Sequence, residues 1–127
     1  MGEFMRIGKV TIYVKNPDDA ITFWVNKLGF ELKVDTFIGS NMRWIEVGDK
    51  YQFTNLIILD KKYMESQNPN VSTCTPSIIF STKNIKRKHR NMRENNVLLD
   101  ELLDLPFGLM FTFYDQDNQA YIMREDK

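Results

Sequence analysis

The chain holds a single histidine, His89, and a single cysteine, Cys74, in 127 residues. That scarcity removes whole classes of chemistry. Zinc and non-haem iron sites usually draw on two or more His or Cys side chains. An iron site of two histidines and a carboxylate within one chain is therefore excluded, and a Ser-His-Asp relay would have to run through His89. Sites for Mg²⁺ or Mn²⁺ built from carboxylates alone stay open. One cysteine makes no internal disulfide and suits a reducing cytoplasm, the expected location. No apolar run approaches the roughly 20 residues of a membrane helix. No charged segment leads into a short apolar one, so neither a membrane partner nor a secretory leader is expected. Seventeen basic side chains balance seventeen acidic ones. The surplus of Lys and Arg that marks nucleic-acid binders is missing, and no nucleic-acid partner is expected.

What is present suffices for a packed core: 43% of the residues are hydrophobic and 13% aromatic. The length suits one domain, expected over residues 5–127. Met1-Gly2-Glu3-Phe4 reads as a cloning remnant ahead of Met5.

Residues 6–15 (RIGKVTIYVK) alternate, with Val10, Ile12 and Val14 on one face and Lys9, Thr11 and Tyr13 on the other. Asn16-Pro17-Asp18-Asp19 then supplies an N-cap, a proline for the first helical position and two acids for the positive end of the helix dipole. The helix is expected to run to about Leu28, with Gly29 closing it. Ala20, Phe23, Trp24 and Leu28 fall at helical spacing and should cover a sheet. Three strands are expected at 30–37, 42–47 and 53–60, with turns at 38–41 and 48–50. Residues 61–76 are polar, contain two prolines and read as a connector. After it the order repeats: a strand at 77–82, a helix over 85–95 capped by Asn84, then strands at 97–103, 108–114 and 119–124. Lys15-Asn16 and Lys83-Asn84 stand 68 residues apart, and Gly29-Phe30 and Asn96-Val97 stand 67 apart, at equivalent junctions. The expectation is an α+β fold of two βαβββ modules, about 5–60 and 77–125, forming curved mixed sheets with the helices outside.

The segment KVTIYVKNPDDAITFWVNKLGFEL resembles the opening of the glyoxalase/bleomycin resistance/extradiol dioxygenase superfamily, the vicinal oxygen chelate proteins. The likeness rests on Ala20, on Phe23-Trp24 and on Leu28-Gly29-Phe30. FTFYDQDNQAYIM resembles the family's ending, with Gln116 and Asn118 where it carries Pro and Gly. The resemblance spans almost all of residues 6–125 and is more specific for fold than for chemistry.

Carried over residue by residue, the metal-ligand positions of that family fall on Lys9, on Ser77, near Leu56 and on Ile122. None of these is one of the family's ligands, and an ammonium at Lys9 would repel a cation. The resemblance thus implies the metal-free, drug-sequestering branch, with no metal, no cofactor and no catalytic residue. Such proteins hold a ligand in a cleft between subunits, which implies a homodimer. Strand alternation puts Lys9, Thr11, Tyr13, Ser77, Ile122 and Arg124 on the cleft side, and Trp44, Glu46, Phe111 and Phe113 join them depending on register. This mixed surface suits a small organic ligand, and Lys9 and Arg124 favour an anionic one, such as an antibiotic or an aromatic metabolite. Lys9 is expected to replace a metal as the positive charge of the site. The alternative is a lyase, isomerase or dioxygenase-like enzyme with Glu46 as base and Lys9 or Tyr13 as electrostatic stabiliser. His89 is expected to be a packed imidazole and the basic run 83–93 a solvated helix face.

Overall fold

The computed structural model describes residues 3–126, so Met1 and Gly2, part of the segment expected to be a cloning remnant, lie outside it. The fold is α+β, with two curved mixed sheets and few helices. The chain divides into two compact units, one ending at Thr75 and the other beginning at Pro76.

The first unit contains β1 (Lys9–Val14), α1 (Pro17–Ile21), β2 (Glu31–Ile38), β3 (Met42–Gly48), β4 (Asn55–Asp60) and α2 (Lys61–Gln67). Its sheet has the order β1-β4-β3-β2, with β1 parallel to β4 and the other pairs antiparallel. Asn16 caps α1 as its sequence predicts: its Oδ1 accepts from the Asp19 amide at 3.1 Å. Beyond Ile21 the helix widens into a π-helical stretch, Thr22–Lys27. Ala20, Phe23, Trp24 and Leu28 are buried on this helix. Gly29 then takes a left-handed φ of 84° to leave it.

The second unit contains β5 (Ile79–Thr82), α3 (Ile85–Glu94), β6 (Leu98–Leu99), β7 (Leu103–Leu105), β8 (Gly108–Tyr114) and β9 (Ala120–Glu125). The order is β5-β9-β8-β6, with β7 also on β8 and β5 parallel to β9. Asn84 caps α3 through the Arg87 amide at 3.1 Å, and Asn96 leaves it at φ 64°. These two left-handed helix exits, Gly29 and Asn96, stand at the 67-residue offset seen in the sequence.

Two expectations need correction. The segment 61–76 is not wholly a connector, because Asp60 caps α2 by accepting from the Tyr63 amide at 3.0 Å. The strand expected at 97–103 is broken into β6 and β7 around Asp100 and Glu101. His89 is packed as expected. Its Nε2 lies 2.9 Å from the Asp100 carbonyl oxygen, and its ring meets Phe111 edge-on at 4.7 Å.

Candidate functional site

The register of the first sheet sorts its side chains into two faces. Lys9, Thr11 and Tyr13 on β1 stand beside Asn55, Ile57 and Leu59 on β4. Glu46 on β3 is the partner of Ile57, and Trp44 lies two residues before it on the same face. Val34 and Thr36 on β2 stand opposite Glu46 and Trp44. The other face holds Ile12, Val14, Ile45, Val47, Leu56 and Ile58, all buried beneath the helix side. The expectation that Leu56 marks a ligand position is therefore corrected. Leu56 points to the core beside Val10 and Val47, and the residue across from Lys9 is Asn55.

A polar network occupies the Lys9 end of this face. The Lys9 ammonium pairs with Glu46 Oε1 at 2.5 Å. Trp44 Nε1 donates to Glu46 Oε2 at 2.8 Å, and Asn55 Nδ2 approaches Oε1 at 3.5 Å. Asn55 Oδ1 in turn accepts from Lys33 Nζ at 2.9 Å, and the Gln52 carbonyl accepts from the same ammonium at 3.3 Å. Lys33 reaches the network because β2 carries an irregularity between Leu32 and Val34, where one extra residue re-aims a side chain. Gly48 leaves room for this arrangement, since a Cβ there would run into the Asn55 side-chain oxygen.

Lys9 therefore does not stand as an uncompensated charge in the place of a metal, as the sequence suggested. Its ammonium is neutralised by Glu46, and Lys33, which sequence reasoning passed over, supplies the excess. Two ammoniums and one carboxylate leave the network at net +1. Burial pushes the Glu46 carboxyl up, but the hydrogen bonds from Lys9 and Trp44 outweigh it and hold the group below the ordinary glutamate range. Both its oxygens already accept hydrogen bonds, a poor arrangement for the general base considered from sequence.

A depressed carboxyl pKa adds stability above the unfolded value of about 4.3, and that stability is lost as pH falls through the folded value. Glu46→Gln should thus cost about 1 kcal/mol or less at pH 7, because Lys9 is half exposed and its pair is screened. The gap between wild type and variant should close as pH drops through the carboxylate range. Urea unfolding of both proteins at a series of pH values checks this, and a gap that widens in acid would contradict it.

The second sheet presents Ile79, Ser81, Met110, Thr112, Ile122 and Arg124 on one face by register. Arg124 lies with its guanidinium 5.2 Å from the Phe107 ring centroid. Ile122 and Arg124 thus share a face, as expected. Ser77 is exposed and precedes β5. Phe111 and Phe113 are corrected: both are fully buried on the opposite face, packed with Tyr121 and Phe80. Among the described residues, no group of three or more His, Cys, Asp or Glu side chains is placed to hold a metal ion, and no helix is long and apolar enough to cross a membrane.

The family model described as Glyoxalase/Bleomycin resistance protein/Dioxygenase superfamily matches residues 6–120. The uncharacterized protein YetH of Bacillus subtilis (strain 168) is 30% identical over 121 residues, covering 94% of this chain and 98% of the relative. The crystal structure of TnmS3, an antibiotic binding protein from Streptomyces sp. CB03234, superposes with a TM-score of 0.82 at 20% identity, covering 100% of both chains. A superfamily member from Sphaerobacter thermophilus DSM 20745 gives 0.82 at 23% identity, covering 97% of this chain and 98% of that one. At such identities these structures bear on the fold alone.

Proposed function

The chain belongs to the Glyoxalase/Bleomycin resistance protein/Dioxygenase superfamily, and from that premise we propose that it is a metal-independent binding protein for a small, anionic aromatic molecule. The observation that carries this reading is the Lys9–Glu46 ion pair with its Trp44 and Asn55 partners. Metal-dependent relatives would need lone-pair donors at these strand positions. Here an ammonium stands at the first, Leu56 points to the core, and Ile122 offers no lone pair. The residues present do not fit a divalent ion. What they do fit is an organic anion. Lys9 Nζ gives one of its three donors to Glu46 and its side chain is 46% exposed, so it can meet a ligand oxygen while still paired. Trp44, held in place through its indole N–H, offers a fixed ring.

By analogy of fold with the neighbour described as antibiotic binding, the proposed biological setting is sequestration of a drug-like molecule. A homodimer in the cytoplasm completes the reading, with both modules working as one domain. Exposed Met5, Ile7, Tyr51 and Phe53 in the first unit support an interface.

Native mass spectrometry of the purified protein, incubated with Zn²⁺, Ni²⁺, Mn²⁺ or Fe²⁺ and then with 2-naphthoate, tests metal, ligand and stoichiometry together. The expected result is a metal-free dimer that binds the naphthoate. Lys33→Met should weaken that binding about 5- to 50-fold while leaving neutral 2-naphthylmethanol unaffected. Stoichiometric metal lost on replacing Glu46 would overturn the reading.

A further inference from the structure

A cavity of about 270 Å³ opens in the first unit at the far end of the sheet from the Lys9 network. Lys9 stands beside Asn55, the first residue of β4, whereas the cavity lies around Asp60, the last. There β4 passes into α2, next to the start of α1 at Pro17 and the turn end of the β2–β3 hairpin. Arg43 is two residues from the buried Ile45, Phe37 is its partner across the hairpin, and Asp60 is two residues from the buried Ile58. These three side chains therefore belong to the helix face of the sheet, opposite Lys9, Trp44 and Glu46. A ligand held here is independent of one held by Lys9.

The walls are fixed before any ligand arrives. Arg43 of β3 grips Asp35 of β2 through two bonds of 2.9 Å and Asp18 of α1 through a third of 2.8 Å. Asp60 holds the first turn of α2 by accepting from the Tyr63 amide. Tyr63 and Met64 of α2 line the cavity, yet both are only half-buried and the helix has no buried residue. A helix that docked for packing alone would close this space, because protein interiors leave few voids wider than a water molecule. Together with Phe37 and Met42, these side chains offer two rings and two adaptable thioethers.

The surrounding charges select the sign of a ligand. Arg43 and Asp60 are the charged residues of the lining, and Lys61 and Lys62 of α2 are not part of it. Arg43 already faces Asp35 and Asp18, so one guanidinium against three carboxylates leaves the group at net −2. Asp60 Oδ1 is committed to the Tyr63 amide, which removes a donor that an anion would seek. Asp60 Oδ2 has no hydrogen bond among the described residues.

We propose that this cavity is a second ligand site, and that it takes a small organic cation. A primary ammonium would donate to Asp60 Oδ2, with a single ring among Phe37, Tyr63 and the two methionines. The two aromatic faces add attraction for the same charge. The volume falls just short of the roughly 300 Å³ at which pockets for drug-sized ligands begin, so a one-ring amine fits it better than a fused polycycle.

Methionine-methyl NMR of the full chain locates such binding, because Met42 and Met64 both line the cavity. The probes are 2-phenylethylamine, its neutral analogue 2-phenylethanol and the anion 3-phenylpropionate, all at about pH 7, where the amine is charged. The amine should move both methyl signals with a dissociation constant on the order of 1 mM, the scale for so few atoms. The alcohol should bind about tenfold more weakly and the anion more weakly still. Asp60→Asn keeps an oxygen for the helix cap and removes the charge. It should bring the amine down to the alcohol, about tenfold, and leave the alcohol unchanged. Phe37→Ala, at a side chain 62% exposed and safe for folding, should weaken amine and alcohol alike. The inference falls if the amine, at about tenfold its expected dissociation constant, leaves both signals of the folded protein in place. It falls equally if the anion binds as well as the amine, or if folded Asp60→Asn binds the amine as wild type does.

Discussion

Replacing Asp115 with alanine is expected to lower the unfolding free energy by about 3 kcal/mol, the cost of leaving one buried and two part-buried donors without their acceptor. Asp115 is 6% exposed at the turn between β8 and β9. Its Oδ1 accepts from the amides of Asp117 at 2.8 Å and Gln119 at 3.0 Å. Its Oδ2 accepts from the hydroxyl of Tyr121, itself 1% exposed, at 3.0 Å. One side chain therefore closes the turn and satisfies a core phenol. Asn118, at φ 62°, completes the turn by donating its amide to the Asp115 carbonyl at 3.0 Å. Alanine abandons three donors at once, and urea unfolding followed by circular dichroism reads the loss.

Asparagine at the same position should behave differently. Its Oδ1 keeps both amide bonds, and its Nδ2 can donate to Tyr121 once that hydroxyl turns. Burial pushes the Asp115 carboxyl above its ordinary value, more than the hydrogen bonds from Gln119, Asp117 and Tyr121 pull it down. A raised carboxyl pKa contributes stability that is complete below about 3.9, the unfolded value, and is lost as pH rises through the folded value. Asp115→Asn, which has no charge to bury, should gain on wild type over that window and match or exceed it at pH 7. An alanine variant as stable as wild type would refute the role given to this turn. The opposite pH trends expected at Glu46 and Asp115 have one physical basis. The first carboxylate is paired with an ammonium, and the second only with neutral donors.

The order of strands and helices was legible because caps and alternation are local signals. Asn16, Asn84 and Gly29 each act where the sequence puts them. The faces of β1 and β9 were legible too, since alternation there separates Lys9 from Ile12 and Arg124 from Met123. The candidate site was only half legible, because it depends on register between strands distant in sequence. Lys33 enters through an extra residue in β2, and no local pattern announces a bulge without its partner strand. Asn55 displaced Leu56 because a one-residue change of register exchanges the faces of a strand. The small Gly48 opposite Asn55 was the available hint. α2 escaped notice because KKYMESQ buries nothing and so shows no apolar period. Phe111 and Phe113 misled for a related reason. β8 reads GLMFTFY, apolar on both faces, so hydrophobicity alone does not say which side meets the helix.

That ambiguity makes β8 the place to test the face assignment of the second unit. Phe113→Ala is expected to destabilise by about 3–5 kcal/mol, the usual cost of emptying a buried phenylalanine site. The ring is fully buried, 5.5 Å from Tyr121 and 5.7 Å from Phe80 between centroids, so its neighbours must either collapse or line a void. Thr112, one residue earlier, points to the other face beside Ile122 and is only half-buried. Thr112→Ala should change stability by no more than about 0.5 kcal/mol. Parallel urea unfolding of the two variants measures the contrast. Because adjacent residues on a strand occupy opposite faces, the pair works as an internal control. Both substitutions truncate neighbouring side chains on the same strand, so a general weakening of β8 would lower both proteins together. A large loss confined to Phe113→Ala fixes the helix side of the sheet and leaves Thr112, Ile122 and Arg124 as its open face. The reverse pattern would exchange the two faces and remove Arg124 from the set of residues a ligand can reach.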